Sequence, residues 1–243
     1  MDDSSKGVFQ RLRGDIETGE VDDDVAVRNG FIRKVFGILA AQLLLTSAIA
    51  APFFLSDTLR TYIHTHLWPL YLALGVSFAV LVPLICVRDL ARRYPINYIL
   101  LFAFTAAEGY LVGTISSTYN VQAVVLAFFL TAGVTVGLSL FAMQTKYDIT
   151  MLGGVLYSAL WILLLCSLIM IFIPGVRVLQ TVYAGLGALL FSAYLVYDVQ
   201  LIAGGRQLEI GLDDYVPAAL NIYLDVINIF LYILQLVGDS RNQ

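Results

Sequence analysis

Three acidic residues lie inside long apolar stretches of the sequence, where a charged group is costly. They are Glu108, Asp198 and Asp225. An ionised carboxylate at the centre of a bilayer is penalised by roughly 2.5–3.5 kcal/mol even on scales derived from membrane insertion, so each needs a partner or water. Intramembrane carboxylates mark ion pathways and proton-sensitive sites, and these three are therefore the first candidates for chemistry in this chain.

Both aspartates stand on polar strips of their helices. At about 100° per residue, four polar side chains lie within roughly 40° of Asp225; they are Asn221, Asn228, Tyr232 and Gln235. Asp198 shares its helix face with Gln180, Tyr183, Gly187 and Tyr194. Two inward polar strips on consecutive helices predict a shared cavity. The candidate residues for lining this cavity or a pore are Glu108, Tyr194, Asn221, Asn228 and Tyr232.

The two aspartates lie at similar depths. Asp198 is about 9 Å and Asp225 about 13 Å from the same end of the bundle, at 1.5 Å per helical residue. Neighbouring carboxylates do not readily ionise together, so the pair is expected to share a proton and to sense pH. Carboxylate oxygens are also the ligands that Ca²⁺ prefers, which makes the pair a candidate for transient Ca²⁺ binding. The alternative is structural, with each acid tying its helix to a neighbour by hydrogen bonds.

The elements that position these carboxylates are predicted to be transmembrane helices. Of the 243 residues, 59% are hydrophobic and 13% are charged, whereas about a quarter are charged in a typical soluble domain. Windows long enough to cross a hydrocarbon core of ~30 Å occur seven times; they cover residues 35–55, 67–87, 96–116, 121–143, 152–173, 178–203 and 216–237. The predicted fold is an all-α membrane protein, with residues 31–243 forming a bundle of seven transmembrane helices in contact with the lipid bilayer.

Residues 1–30 are predicted to be an acidic, disordered tail. Their acidic residues outnumber their basic ones and account for the net charge of -4 of the whole chain, a composition that disfavours a packed core.

Lys and Arg in short loops are retained in the cytosol during insertion. Most of them fall on the side of the amino terminus, namely Arg28, Arg33, Lys34, Arg88, Arg92, Arg93, Lys146 and Arg206. The tail is therefore expected to be cytosolic.

Other classes of function have less support. Cys86 and Cys166 both fall inside apolar windows, so no disulfide framework is indicated, and no basic cluster predicts nucleic-acid binding. Tyr197-Asp198 resembles one half of an intramembrane aspartyl protease site, but Asp225 lacks the Gly-x-Gly-Asp context of the other half. The predicted orientation is opposite to that of seven-helix receptors. With no phosphate-binding loop either, we expect neither enzyme activity nor a cofactor.

Three segments resemble one known family. FSAYLVYDVQLI (191–202) and DDYVPAALNIYLDVINIFLYILQLVG (213–238) resemble the transmembrane BAX inhibitor motif family, and FIRKVFGILAAQLLLT (31–46) is similar to its Lifeguard branch. The resemblance extends over nearly everything after the acidic tail, and both intramembrane aspartates stand in their usual surroundings.

The resemblance implies a seven-helix protein of the endoplasmic reticulum, the Golgi or a related membrane that leaks Ca²⁺ in a pH-sensitive way and restrains programmed cell death. The family's paired aspartates correspond to Asp198 and Asp225, and Arg88 is the nearest match to the arginine that latches onto the first of them in bacterial members. The run VRDLARR departs from the family's basic run, and Ser77 stands roughly where some relatives have a further acid. The alternative is a membrane protein that conducts nothing and suppresses cell death by binding regulatory membrane proteins.

Overall fold

The computed structural model describes residues 3–172 and 176–238, with side chains described from residue 25 onward. This part of the chain forms nine α-helices and a short 3₁₀ turn, Thr150–Leu152, ahead of the seventh helix. The helices are α1 (Asp3–Leu55), α2 (Asp57–Thr65), α3 (Trp68–Cys86), α4 (Arg88–Arg92), α5 (Ile96–Ser116), α6 (Val121–Gln144), α7 (Gly153–Phe172), α8 (Arg177–Ala203) and α9 (Tyr215–Val237). No strand occurs within these residues, which confirms the predicted all-α class.

Seven stretches of these helices are long and apolar enough to cross a membrane, as the sequence predicts. They are Val25–Leu55, Trp68–Cys86, Ile96–Ser116, Val121–Gln144, Thr150–Phe172, Arg177–Ala203 and Tyr215–Val237. Helices are the expected form because lipid offers backbone amides no partner, so each segment must pair its own N–H and C=O groups. Apart from the first, the spans agree with the predicted ones to within two residues, and the predicted end of the fifth, residue 173, lies outside the described residues.

The amino-terminal segment differs from the prediction. The sequence predicts a disordered tail over residues 1–30, whereas α1 begins at Asp3 and runs without a break into the first span. Phe31 and Val35 are already buried, and Arg28 is hydrogen-bonded to the end of α8. The helix thus packs against the bundle before its continuous apolar run begins. Arg33 and Lys34 lie just before the predicted span, residues 35–55, and the continuous apolar run of α1 follows them.

The helix α9 lies at the centre of the bundle. In its membrane-spanning window 50% of the residues are buried inside the protein, against 11% for the window in Thr150–Phe172. It packs against α1, α5, α6 and α8, while α3 packs on α5 and α7 packs on α8. The helix that carries Asp225 therefore contacts most of the others, and it shares an extensive interface with the helix that carries Asp198.

Two side-chain contacts fix the loops at the end of the bundle where α8 ends and α9 begins, which we call the predicted cytosolic end. The buried amide of Gln200 accepts a hydrogen bond from the N–H of Ile149 (2.8 Å) and donates one to the carbonyl of Tyr147 (2.9 Å). Arg92 of α4 donates two hydrogen bonds to Asp214, at 2.6 and 2.8 Å. Through these bonds and its charge, Arg92 holds the pKa of the Asp214 carboxyl below its ordinary value.

Candidate functional site

The carboxyl groups of Asp198 and Asp225 meet inside the bundle. The helices α8 and α9 place them within hydrogen-bonding reach of each other, and the two residues are only 6% and 4% exposed. Asp225 Oδ2 receives no hydrogen bond from any donor in the described part of the chain. Two carboxyl groups can bond to each other only through a proton, so the contact fits a pair of which one member is protonated. The structure brings the two carboxyl groups together, and their predicted role in sensing pH stays a prediction.

An aromatic layer lies beside the pair, on the side away from the predicted cytosolic end. Tyr194, one helical turn before Asp198, interacts with both carboxyl groups. Further along, the hydroxyl of Tyr232 lies 3.2 Å from that of Tyr183, and its ring stacks on Phe191 with centroids 5.9 Å apart. These four aromatic side chains fill the interface between α8 and α9 next to the carboxyl groups.

Gly187 makes this close approach of α8 and α9 possible. A Cβ atom at this position would lie 2.5 Å from the ring of Tyr232, well inside van der Waals contact. The sequence placed Gly187 on the face of Asp198, and the structure explains why a residue without a side chain stands there. The predicted polar strips of the two helices therefore do face each other.

A chain of buried polar groups ties α1 to α9 near the pair. The hydroxyl oxygens of Thr46 and Tyr223 lie 2.7 Å apart, and Thr46 also donates to the carbonyl of Gln42 at 2.9 Å. The Gln42 amide in turn donates to Thr105 on α5, at 2.9 Å. Because Tyr223 precedes Asp225 by only two residues, these bonds fix α9 on the side opposite to the carboxyl contact.

Arg28 binds the carboxyl end of α8. Its Nε, Nη2 and Nη1 atoms donate to the carbonyl oxygens of Ile202 (2.7 Å), Leu201 (2.8 Å) and Ile210 (3.0 Å). The last carbonyl groups of a helix have no partner within the helix, and a cation beside them is favourable. The Arg28 side chain is only 17% exposed, and the carboxylate of Glu209 lies 3.9 Å from it. Arg28 is thus a structural link from the first helix to the helix of Asp198.

A second cation of α1 lies at the beginning of α9. The Nζ atom of Lys34 is 3.2 Å from the centre of the Tyr215 ring, a cation–π contact. The hydroxyl of Tyr215 accepts a hydrogen bond of 3.4 Å from the buried Asn97 at the start of α5. The first helix therefore contacts the end of one aspartate-bearing helix and the beginning of the other.

The structure separates Glu108 from the aspartate pair. The half-buried carboxyl of Glu108 lies near the hydroxyl of Ser77 on α3, and it interacts electrostatically with Tyr223. Tyr223 and Asp225 are two residues apart and therefore point to roughly opposite sides of α9, so Glu108 lies on another side of α9 from the pair. The three intramembrane acids therefore do not form one cluster.

The other predicted site residues are placed as follows. Asn228 is half-buried and its amide donates to the carbonyl of Leu224 in its own helix, at 2.8 Å. Asn221 is half-buried one turn before Asp225. Arg88, the candidate latch, is exposed on α4 and lowers the pKa of Asp214 through its charge. No contact between Arg88 and Asp198 occurs in the described residues, and the latch stays a prediction.

A cavity of about 800 Å³ lies between α1, α5, α6 and α9. Its walls are almost entirely apolar and include Ala51, Val125, Phe129 and Val226, and neither aspartate lines it. Such a space suits hydrocarbon better than a hydrated ion. Within the described residues, no group of three or more His, Cys, Asp or Glu side chains could hold a metal ion. The transient Ca²⁺ contact predicted for the Asp198–Asp225 pair stays a prediction.

Sequence reasoning missed several residues that hold the site in place. Gln200 stands two positions after Asp198, and a buried amide inside an apolar run is a signal that could have indicated it. From the sequence, Arg28 indicates only a cytosolic charge, and Thr46 is only part of an apolar window. The partners of these residues lie far away in the sequence, so helical periodicity within one segment cannot predict the contacts.

The fold and the site define a class, a multi-pass α-helical membrane protein with a buried pair of carboxyl groups between two spanning helices. The family model described as inhibitor of apoptosis-promoting Bax1 matches residues 28–242. The chain is 40% identical to protein lifeguard 3 of Homo sapiens over 223 residues, which covers 90% of this chain and 71% of that protein. It is 38% identical to Bax inhibitor 1 of Schizosaccharomyces pombe over 217 residues, which covers 89% and 79% of the two chains.

The chain therefore belongs to the Bax inhibitor family, as the resemblance of its motifs indicated. Protein lifeguard 3 of Mus musculus is similar to the same extent, at 40% identity over 222 residues. The matched region begins at residue 28, where the link between α1 and α8 also begins.

Proposed function

We propose that this protein is a pH-sensitive passive Ca²⁺ leak channel of intracellular membranes, gated by Asp198 and Asp225, and that it restrains programmed cell death. The observation that carries the proposal is the direct contact of two carboxyl groups that are almost entirely buried at membrane depth. Such groups are costly in a membrane protein and occur mainly where ions or protons are handled. Because the two carboxyl groups lie at the interface of two spanning helices, the gain or loss of a proton there directly changes how the helices pack.

The proton balance of the pair supplies the gate. While one carboxyl carries a proton, it donates to the other and holds α8 against α9, and in this proposal the structure represents this closed state. When the shared proton leaves, two negative charges face each other in a medium of low dielectric constant and repel. The helices then separate at this point, and water and cations enter.

Ca²⁺ suits the oxygen atoms that this opening exposes. It takes carboxylate, carbonyl and water oxygens in flexible geometry, and the pair offers two carboxylates. Conduction requires binding strong enough for entry and weak enough for release, and a proton that competes for the same carboxyl groups limits the strength of binding. The flow runs down the concentration gradient, so the proposal requires no cofactor, no nucleotide and no catalysis.

The biological setting is inferred from the relatives. The matching family is described as an inhibitor of apoptosis-promoting Bax1, and one relative carries the name Bax inhibitor 1. A regulated Ca²⁺ leak from the endoplasmic reticulum or the Golgi would connect such a protein to cell death, with regulatory membrane proteins as partners. The amino terminus lies in the cytosol in this proposal, in keeping with the distribution of Lys and Arg.

Flux from purified protein in liposomes tests the proposal. Vesicles that contain this chain alone, loaded with a Ca²⁺ indicator, should fill down a Ca²⁺ gradient faster than empty vesicles, at a rate that depends on pH between about 5 and 8. A rate equal to that of empty vesicles at every pH in this range contradicts the channel. The protein would then be better explained as a non-conducting interaction protein that suppresses cell death by binding partners.

A further inference from the structure

The height of Asp198 relative to Asp225 depends on how the end of α8 is held. Asp198 lies about 9 Å before Gly204, the residue that follows the helix, at 1.5 Å per residue. The chain turns away there with backbone φ angles of +73° at Gly204 and +68° at Gly205. Few helical hydrogen bonds remain over this last turn, so partners outside the helix must fix its carbonyl groups.

Arg28 supplies those partners from a different helix. Its planar guanidinium donates three hydrogen bonds, two to carbonyls in the last turn of α8 and one to the carbonyl of Ile210 in the following loop. The loop itself folds back, because the N–H of Ile210 donates to the carbonyl of Leu201 at 3.0 Å. A cation at a helix carboxyl end also complements the helix dipole. One side chain of α1 thus fixes both the helix end and the loop that follows it.

The helix that carries Arg28 is itself fixed to α9. Lys34 packs on Tyr215 at the beginning of α9, and Thr46 bonds to Tyr223 close to Asp225. A displacement of α8 along its axis relative to α9 therefore requires the bonds of Arg28 to break. The remaining contacts between α8 and α9 are largely packing of aromatic and small side chains.

We propose that Arg28 is a positioning residue for the Asp198–Asp225 pair: its guanidinium holds α8 at the height at which the two carboxyl groups meet. The proposal deepens the proposed function and rests on it for the flux readout alone. The ionisable side chains that interact with the pair are Tyr194 and Tyr197 of α8. Within the described residues, no ionisable side chain of α1, α5 or α6 interacts with either carboxyl group. Arg28 therefore acts through the position of the helix.

The test compares two substitutions of Arg28. Arg28→Gln removes both the charge and the fork of donors, whereas Arg28→Lys keeps the charge and loses the planar geometry that reaches three carbonyls. The infrared band of the protonated carboxyl, identified by its loss in Asp198→Asn and Asp225→Asn, is followed against pH in the whole protein in liposomes. Both Arg28 variants should shift the midpoint of this band by about threefold or more in proton concentration, which is half a pH unit.

A pair of glycine substitutions tests the same contact with Arg28 left in place. A Cβ at Gly204 would lie 2.6 Å from the Arg28 guanidinium, whereas one at Gly205 meets nothing within 4 Å. Both positions have positive φ, so an alanine is strained at either one, and at Gly204 its Cβ would also meet the guanidinium. Gly204→Ala should shift the midpoint and Gly205→Ala should leave it unchanged. Arg33→Gln, which removes an exposed charge of α1, controls for net charge.

The outcomes are separable. A midpoint that moves in Arg28→Gln but stays in Arg28→Lys means that charge alone matters and overturns the positioning role, as does a midpoint unchanged in Gly204→Ala. If the Arg28 variants do not fold, the comparison of Gly204→Ala with Gly205→Ala decides. If neither the wild type nor any variant leaks Ca²⁺ but the infrared band shifts as expected, the positioning role of Arg28 stands and the channel is rejected.

Discussion

The hydroxyl oxygens of Thr46 and Tyr223 lie 2.7 Å apart inside the membrane-spanning bundle. This bond joins the first spanning helix to the last, and Tyr223 precedes Asp225 by two residues. It belongs to the chain of buried polar groups that continues through Gln42 to Thr105. The helix carrying Asp225 is thus held by α1 on one side and meets Asp198 on the other, and several consequences can be measured.

Tyr223→Phe should lower the free energy of unfolding by about 1 kcal/mol, the net value of a typical hydrogen bond. The loss is limited because Thr46 keeps its bond to the carbonyl of Gln42. Unfolding in denaturing detergent, followed by loss of helical signal, measures the difference. Tyr71→Phe, at an exposed position on α3, is the matched control and should be neutral. Equal losses in the two variants would mean that the Thr46 bond contributes nothing.

Asp198→Asn and Asp225→Asn should each flatten the pH dependence of the Ca²⁺ leak, because an amide cannot release the shared proton. Since the two groups are in contact, the double variant should differ from the sum of the single ones by about 0.5–3 kcal/mol in the free energy of gating. The vesicle flux assay across pH measures both effects. Asp57→Asn, an exposed carboxylate on α2, serves as control. Additive effects, or wild-type pH profiles in all three variants, would assign the pair a purely structural role.

Gly187→Ala should destabilise the protein by about 1–3 kcal/mol, the usual cost of overpacking. Its Cβ would meet the Tyr232 ring at 2.5 Å, and that ring is held by its stacking on Phe191. Gly185→Ala in the same helix is the matched control, since a Cβ there has nothing within 4 Å. Thermal unfolding of both variants in detergent gives the comparison. If Gly187→Ala is as stable as Gly185→Ala, the helices have room to separate and the contact is not tight.

The ion pair of Arg92 and Asp214 should make stability depend on acidity. Arg92 holds the pKa of Asp214 below its ordinary value, so the folded state binds this proton more weakly than the unfolded state does. The stabilisation is therefore complete above the unfolded pKa of about 3.9 and is lost as the pH falls through the lower folded pKa.

Asp214→Asn and Arg92→Gln should therefore be less stable than the wild type at neutral pH, with the difference shrinking as the pH falls below about 4 and disappearing once the pH lies below the lowered pKa of Asp214. Thermal unfolding at a series of pH values measures it, with Asp213→Asn as the neighbouring exposed control. High salt should weaken the effect, since charges at the surface are screened. A difference that persists unchanged into acid would show that packing, and not the ion pair, is responsible.

The amino terminus should be accessible from the cytosol. The basic residues in short loops lie mostly at the end of the bundle where α8 ends, and such residues are retained in the cytosol during insertion. Protease added to sealed microsomes should remove an epitope placed before residue 25 and leave an epitope between α2 and α3 intact. Protection of the amino-terminal epitope would reverse the orientation, and with it the side from which pH acts on the leak.

The seven spans and the meeting of Asp198 with Asp225 could be predicted from the sequence, because both follow from local rules. Lipid forces each segment to pair its own backbone groups, so length and hydropathy are enough to find the helices. The helical period then turns the polar strips inward and sets the depth of each carboxyl group. Neither argument needs to know which helix packs on which.

The remaining features depended on tertiary packing. Glu108 is a carboxylic acid inside an apolar stretch, as the two aspartates are, but in the bundle it lies near Ser77 and interacts with Tyr223. Arg28 and its partner Ile202 are 174 residues apart in the sequence, and no local pattern can predict a contact between residues so far apart. Such contacts depend on the order, height and rotation of the packed helices. These are set by the packing of all the helices together and by no single segment of the sequence. For that reason the pair could be predicted from the sequence, while Arg28 was found only in the assembled bundle.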